Sequence, residues 1–211
     1  MAKLRKGILG AISGLVGTVI GSSWKGIPYI RSKGPDTREV SSDKQKVQQS
    51  KFSLVIAFLH TMKDLLQIGY KNNAYQMTEV NAALGHIIKN AVVENNGVYS
   101  LAYPLVEISR GSLPNAPLAV AAAGNAELIN FTWINNSGLG KAKATDKAIL
   151  VAHCPALKQT IWSNQVLRSA GAGVLEAPEF SGQTVQTWIS FVTEDEKDIA
   201  TSVFTGAVNV L

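Results

Sequence analysis

The residues that invite a search for chemistry are few. His153 stands next to Cys154, the one cysteine of the chain. Neighbouring side chains of a strand point to opposite faces, so these two cannot serve each other as base and nucleophile. Cys154 therefore reads as a small core residue. His60 and His86 fall on separate expected helices and bring two nitrogens, short of the four ligands of a structural zinc site. Glu194, Asp195, Glu196 and Asp198 form an acidic run without the Asp/Asn alternation and glycine of a calcium loop, and a solvated turn is expected. Gly10 to Gly17 is glycine-rich, but no lysine follows at the spacing of a phosphate-binding loop. No metal, cofactor or small-molecule substrate is expected, and the chain is expected not to be an enzyme.

A second kind of chemistry is recognition. Trp24, Lys25, Gly26, Tyr29 and Arg31 place aromatic and basic groups on a glycine-rich stretch. Trp, Tyr and Arg dominate binding energy at protein interfaces. Aromatic and basic groups also hold single-stranded nucleic acid, whose bases stack on rings. The competing structural role for Trp24 is a plug in the domain core. Arg110, in Ser109-Arg110-Gly111, is a further candidate at the junction of the elements described below. A buried guanidinium there needs a carboxylate, with Glu107 or Asp146 as the candidates.

Charge points to the same region. The 211 residues carry 20 Lys and Arg against 15 Asp and Glu, a net of +5. The first 51 residues hold ten basic and three acidic residues, a net of +7, and the remaining 160 hold ten and twelve, a net of −2. A basic arm on a near-neutral body suits an anionic partner: nucleic acid, a lipid surface or an acidic neighbouring subunit.

The elements that must position these residues follow from periodicity. Gly7, Gly10, Gly14, Gly17, Gly21 and Gly26 punctuate the arm. A signal peptide fits poorly, because Gly and Ser dilute the apolar run from Ile8 to Ile20 and Ser22-Ser23-Trp24 is a poor cleavage site. That run is also too short to span a membrane. A pair of glycine-rich strands, with Trp24-Lys25-Gly26 at a turn, is expected instead. Lys33-Gly34-Pro35-Asp36 reads as linker. Ser42 and Gln45 form a capping-box pattern ahead of a helix that runs through Leu66 to a C-terminal cap at Gly69. A second helix starts near Thr78 and ends before Asn95-Asn96-Gly97, which predicts an antiparallel helical hairpin. After Gly97 the period is two. Strands are expected over Val98–Ala102, Val106–Ser109, and then seven times from Leu118 to Val210, the pattern of an antiparallel sandwich.

Ile129-x-Phe131-x-Trp133, Leu175, Pro178 and Trp188-x-Ser190-x-Val192 resemble a fibronectin type III domain over about half of the chain. Trp133 stands at that fold's core Trp and Trp188 at a position more often Tyr. The block Gly10-x-x-Ser13-Gly14-x-Val16-Gly17-x-x-x-Gly21-x-x-Trp24-Lys25-Gly26-x-x-Tyr29-Ile30-Arg31 resembles the N-terminus of an uncharacterised family from Bacteroidota. Phe52 to Gly69, Ser109 to Leu113 and Ala142 to Ala148 also match it. That resemblance implies no known activity.

The expected fold class is α+β. It comprises a Gly-rich N-terminal β arm and an antiparallel helical hairpin within residues 1–116, then a fibronectin type III/immunoglobulin-like β-sandwich over 117–211. The expected role is that of a non-enzymatic structural protein. It would self-associate through its arm into a homo-oligomer, as part of a surface appendage or virion-like assembly. Binding of nucleic acid through the basic arm and a secreted surface adhesin are the alternatives. Cell surface, extracellular space or a virion is favoured over cytoplasm as its location.

Overall fold

The computed structural model describes residues 3–4, 10–34, 41–125 and 127–211. Arg5, Lys6, Gly7 and Ile8 of the arm, and Pro35 and Asp36 of the expected linker, lie outside the described residues. Packing divides the chain into two compact units, Met1–Lys46 and Val47–Leu211. The helices belong to the second unit, where they bury their apolar faces against the sandwich.

The first unit holds β1 (Lys3–Leu4), β2 (Ile12–Val16), β3 (Val19–Trp24) and β4 (Ile27–Ser32), an antiparallel sheet in the order β1-β2-β3-β4. Two-residue turns join β2 to β3 and β3 to β4. The second is Lys25-Gly26, with φ of 46° and 82°. Two successive residues at positive φ give the turn whose twist matches a hairpin, and glycine takes up that geometry without strain.

Helix α1 (Asp43–His60) opens with the expected capping box. Ser42 N donates to Gln45 Oε1 at 2.8 Å, and Gln45 N to Ser42 Oγ at 3.3 Å. The helix does not continue to Gly69. It stops at His60, and α2 (Lys63–Gly69) leaves at 90° to it. At the break Thr61 N bonds Phe58 O and Met62 N bonds Leu59 O, the tighter spacing of a terminating turn. Thr61 Oγ1 also donates to Phe58 O at 2.7 Å. Gly69 is not a cap; it permits close approach. A Cβ there would lie 2.5 Å from the Ile108 carbonyl, and Arg110 N donates to Gly69 O at 3.0 Å. Thr78 caps α3 (Glu79–Asn90), accepting from Asn81 N at 3.2 Å. The chain then forms a hairpin of β5 (Val92–Asn95) and β6 (Val98–Leu101) around Asn96-Gly97. Residues 106–109, expected as a strand, form no ladder. They are tied to the far end of the chain instead, with Ile108 N on Ser202 Oγ at 2.9 Å and Ser202 N on Ser109 O at 3.1 Å. Among the described residues no single helix is long and apolar enough to cross a membrane.

Seven strands complete the second unit: β7 (Val120–Ala123), β8 (Leu128–Thr132), β9 (Lys147–Cys154), β10 (Gln159–Leu167), β11 (Ala172–Glu176), β12 (Thr184–Val192) and β13 (Val203–Asn209). They form two antiparallel sheets, β10-β9-β12-β13 and β11-β8-β7. One core lies between them, built on Phe131, Trp133, Leu150, Leu175, Phe180, Ile189 and Phe191. A second core lies on the other face of the four-stranded sheet, where Ile149, Val151 and Trp188 meet Phe58, Leu59, Leu65, Leu66 and Ile87 of the helices. Trp188 is thus a residue of the helix–sheet core, while Trp133 takes the inter-sheet position. Strands β9 and β12 supply alternate side chains to both cores, so their sequences read as near-continuous apolar runs.

Candidate interaction surface

The pairing register of the first sheet decides what its candidate residues do together. Trp24 pairs with Ile27, Ser22 with Tyr29 and Ile20 with Arg31. Directly paired residues share a face, and alternate residues of a strand share a face. Trp24, Tyr29 and Arg31 therefore stand on one face, with Ile20 and Ile27. Leu15, paired with Ile20, extends it onto β2. The opposite face carries Val16, Val19 and Ile30. Both faces are open. Trp24 is 50% exposed, Tyr29 43% and Ile30 63%. Among residues 10–34 only Gly21 is buried. Trp24 is not a core plug.

β4 is an edge strand, exposed along its whole length. Lys33 N donates to Thr18 O at 2.7 Å, which continues the ladder of hydrogen-bonded pairs from Ile27 through Tyr29 and Arg31. The backbone groups of Pro28, Ile30 and Ser32 consequently point away from β3. Pro28 has no N–H to offer and occupies the outward position where that absence costs the ladder nothing. Sequence reasoning missed Ile27 and Ile30. Apolar residues at both parities of β4 normally signal a strand buried on two sides, and here both sides are bare.

Arg110 belongs to the second unit. Its Nε lies 2.9 Å from Glu107 Oε2, so one of its two expected partners holds. Glu107 also approaches His86, Nε2 to Oε2 at 3.6 Å, and burial of His86 lowers its pKa more than Glu107 raises it. Asp146, the other expected partner, is committed to Arg168, a residue to which the sequence alone assigns no role. Arg168 Nε bonds Asp146 Oδ2 at 3.0 Å, its Nη1 bonds Asn136 Oδ1 at 2.7 Å and its Nη2 bonds the Pro114 carbonyl at 2.9 Å. Its guanidinium lies over the Phe191 ring, 4.0 Å from the centroid.

The remaining chemical candidates resolve simply. His153 faces the helices and Cys154 the inter-sheet core, on opposite sides of β9. Asp195 accepts from Thr193 Oγ1 at 2.7 Å and pairs with Lys197 Nζ at 2.9 Å, and Lys197 first among these holds its carboxyl well below the usual range. Asp195 is therefore satisfied within its own turn, and Asp198 pairs with Lys141, Oδ2 to Nζ at 3.4 Å. Among the described residues no group of three or more His, Cys, Asp and Glu is placed to hold a metal ion.

No curated protein matches the chain. Several solved structures are similar to part of it. The FN1-FN3 domains of chicken CNTN1 align at 13% identity and a TM-score of 0.39, over 48% of this chain and 35% of that one. The fn3 domain of the human collagen alpha-1(XX) chain aligns at 14% identity and a TM-score of 0.34, over 49% of this chain and 93% of that one. The chain thus spans well under two thirds of the CNTN1 structure. A family model described as "Family of unknown function (DUF6266)" matches residues 11–206.

Proposed function

The chain belongs to DUF6266, a family of unknown function, and we propose that it is a non-enzymatic structural protein that assembles with further copies of itself through its N-terminal sheet. On this reading it is a subunit of a surface appendage or virion-like particle. The observation that carries the reading is a sheet with large apolar side chains on both faces and almost nothing buried. A small sheet without a covered face lacks independent stability. Contiguous exposed apolar surface of this kind is characteristic of an interaction site.

Strand addition at β4 supplies a geometry. Antiparallel pairing of two β4 strands about Ile30 lets each Ile30 exchange N–H···O=C bonds with its counterpart. Ser32 of each copy donates to the Pro28 carbonyl of the other. The same register sets Tyr29 opposite Arg31 of the second copy, a cation–π pair. Light scattering of the full chain over a concentration series tests the reading. Oligomers are expected for the native protein, and Ile30→Lys, which sets a charge on the edge, is expected to leave monomers. A native protein that stays monomeric at high concentration sinks the proposal.

A second reading, binding of single-stranded nucleic acid, is favoured by the common face of Trp24, Tyr29 and Arg31. It requires retention on an oligonucleotide that falls steeply with salt. Ile30→Lys, on the opposite face, should then leave binding undiminished.

A further inference from the structure

A cleft of about 490 Å³ opens between α1 and the end of the four-stranded sheet, within the size range of small-molecule sites. Leu54, Leu101 and Pro155 contribute apolar walls, and three rings stand among the other lining residues: Phe58, Tyr103 and His153. The rings form one cluster. Phe58 meets His153 edge-on with centroids 4.8 Å apart, and Tyr103 lies 6.1 Å from His153 and 6.3 Å from Phe58.

A chain of hydroxyls fixes the state of the imidazole. Thr61 Oγ1 gives its proton to the Phe58 carbonyl. At the 2.6 Å contact between Thr61 and Thr160 the proton must therefore come from Thr160. Thr160 has then no proton left for His153 Nδ1, 2.9 Å away, so Nδ1 carries the hydrogen and Thr160 accepts it. His153 is left with a lone pair on Nε2. Burial pushes the ring pKa down to about 4, against a weaker opposite pull from the Gln159 carbonyl, so that lone pair is free at neutral pH. Among the described residues no side chain bonds Nε2 or the Tyr103 hydroxyl.

We propose that this cleft binds a hydroxyaromatic small molecule, its ring packed among Phe58, Tyr103 and His153 and its hydroxyl donating to His153 Nε2. A planar ring matches the aromatic walls, where ring pairs gain attraction beyond area burial. A hydroxyl donor matches the one acceptor whose protonation the hydroxyl chain dictates, and Tyr103 can bond the same oxygen. A site built around a hydrogen bond to a ligand hydroxyl rejects the analogue that lacks the donor. This inference does not depend on self-association.

The test uses the full chain and 2-naphthol, with 2-methoxynaphthalene as the analogue whose oxygen cannot donate. Calorimetry is expected to show saturable binding of 2-naphthol at one site. The methyl ether should bind roughly tenfold more weakly, the factor for one lost neutral hydrogen bond. Nitrogen-15 spectra of the histidines should show His153 as the Nδ1–H tautomer, with its Nε2 resonance moving on addition of 2-naphthol. His153→Leu should abolish the preference, leaving 2-naphthol and the ether with equal affinity. Absence of saturable 2-naphthol binding, equal affinity for the two compounds, or an unmoved Nε2 resonance would each overturn the proposal. The two-ligand comparison stands even if the variant fails to fold.

Discussion

Arg168 is wholly buried, and its charge is tolerable because each nitrogen of the guanidinium has a hydrogen-bonding partner. Asp146 Oδ2, the Asn136 amide oxygen and the Pro114 carbonyl take its protons, and Phe191 covers its plane. Removing one partner of such a pair strands the other. Arg168→Met is expected to destabilise the protein by about 3–5 kcal/mol in urea unfolding, and Asp146→Leu added to it should recover much of the loss. His153 offers a pH test. Its folded pKa of about 4 lies below the ordinary value of 6.5. Between those values the unfolded chain takes up a proton that the folded chain refuses, so stability is complete above pH 6.5 and declines as pH falls toward 4. The full loss is about 3 kcal/mol. Melting temperatures from pH 7.5 to 4.5 should drop less steeply for His153→Gln than for the native protein. The opposite facing of His153 and Cys154 was legible from strand alternation alone. The role of Arg168 was not, because Asn136 and Pro114 come to it from distant stretches of sequence and no local spacing encodes them.

At the scale of elements, local chemistry was legible wherever it acts within a few residues. The Ser42–Gln45 capping box, the Thr78 cap and the Lys25-Gly26 turn all stand where their residues place them. The break after His60 was hidden, since the helical periodicity runs through it unbroken. Thr61 ends α1 by bonding back to Phe58 while also contacting Thr160, a strand residue far along the chain. The strand β4 shows the same division: turn and pairing were readable, but exposure of both faces was not. Its two edges can be told apart by proline. Ile30→Pro removes an outward N–H and leaves the β3–β4 ladder whole. Tyr29→Pro removes an inward one. The first is expected to abolish self-association with the circular dichroism of the native fold retained. The second should abolish it with loss of strand signal as well.

Across the whole molecule the two units differ in how much each encloses. The second holds two cores that share β9 and β12, while the first buries little beyond Gly21 in its described strands. Hydrogen exchange in dilute solution should accordingly find β2 to β4 fast and β9 and β12 slowest. If copies associate, protection of β4 should rise with protein concentration while β9 stays unchanged. The net charge of +5 conceals the same division, a basic first 51 residues and a slightly acidic remainder.

The burial of β9 on both faces also bears on how the chain is made. Ala148-Ile149-Leu150-Val151-Ala152 has no charge, glycine or proline, and only the lysine at 147 guards its entrance. Synthesis releases this segment before β12, its neighbour on one side, exists. Until then a strand fit for the centre of the protein is open to the same segment of any nearby nascent chain. The architecture that gives the finished protein its two cores makes the interval between these strands the hazardous moment of its biogenesis, when a holding chaperone would matter most.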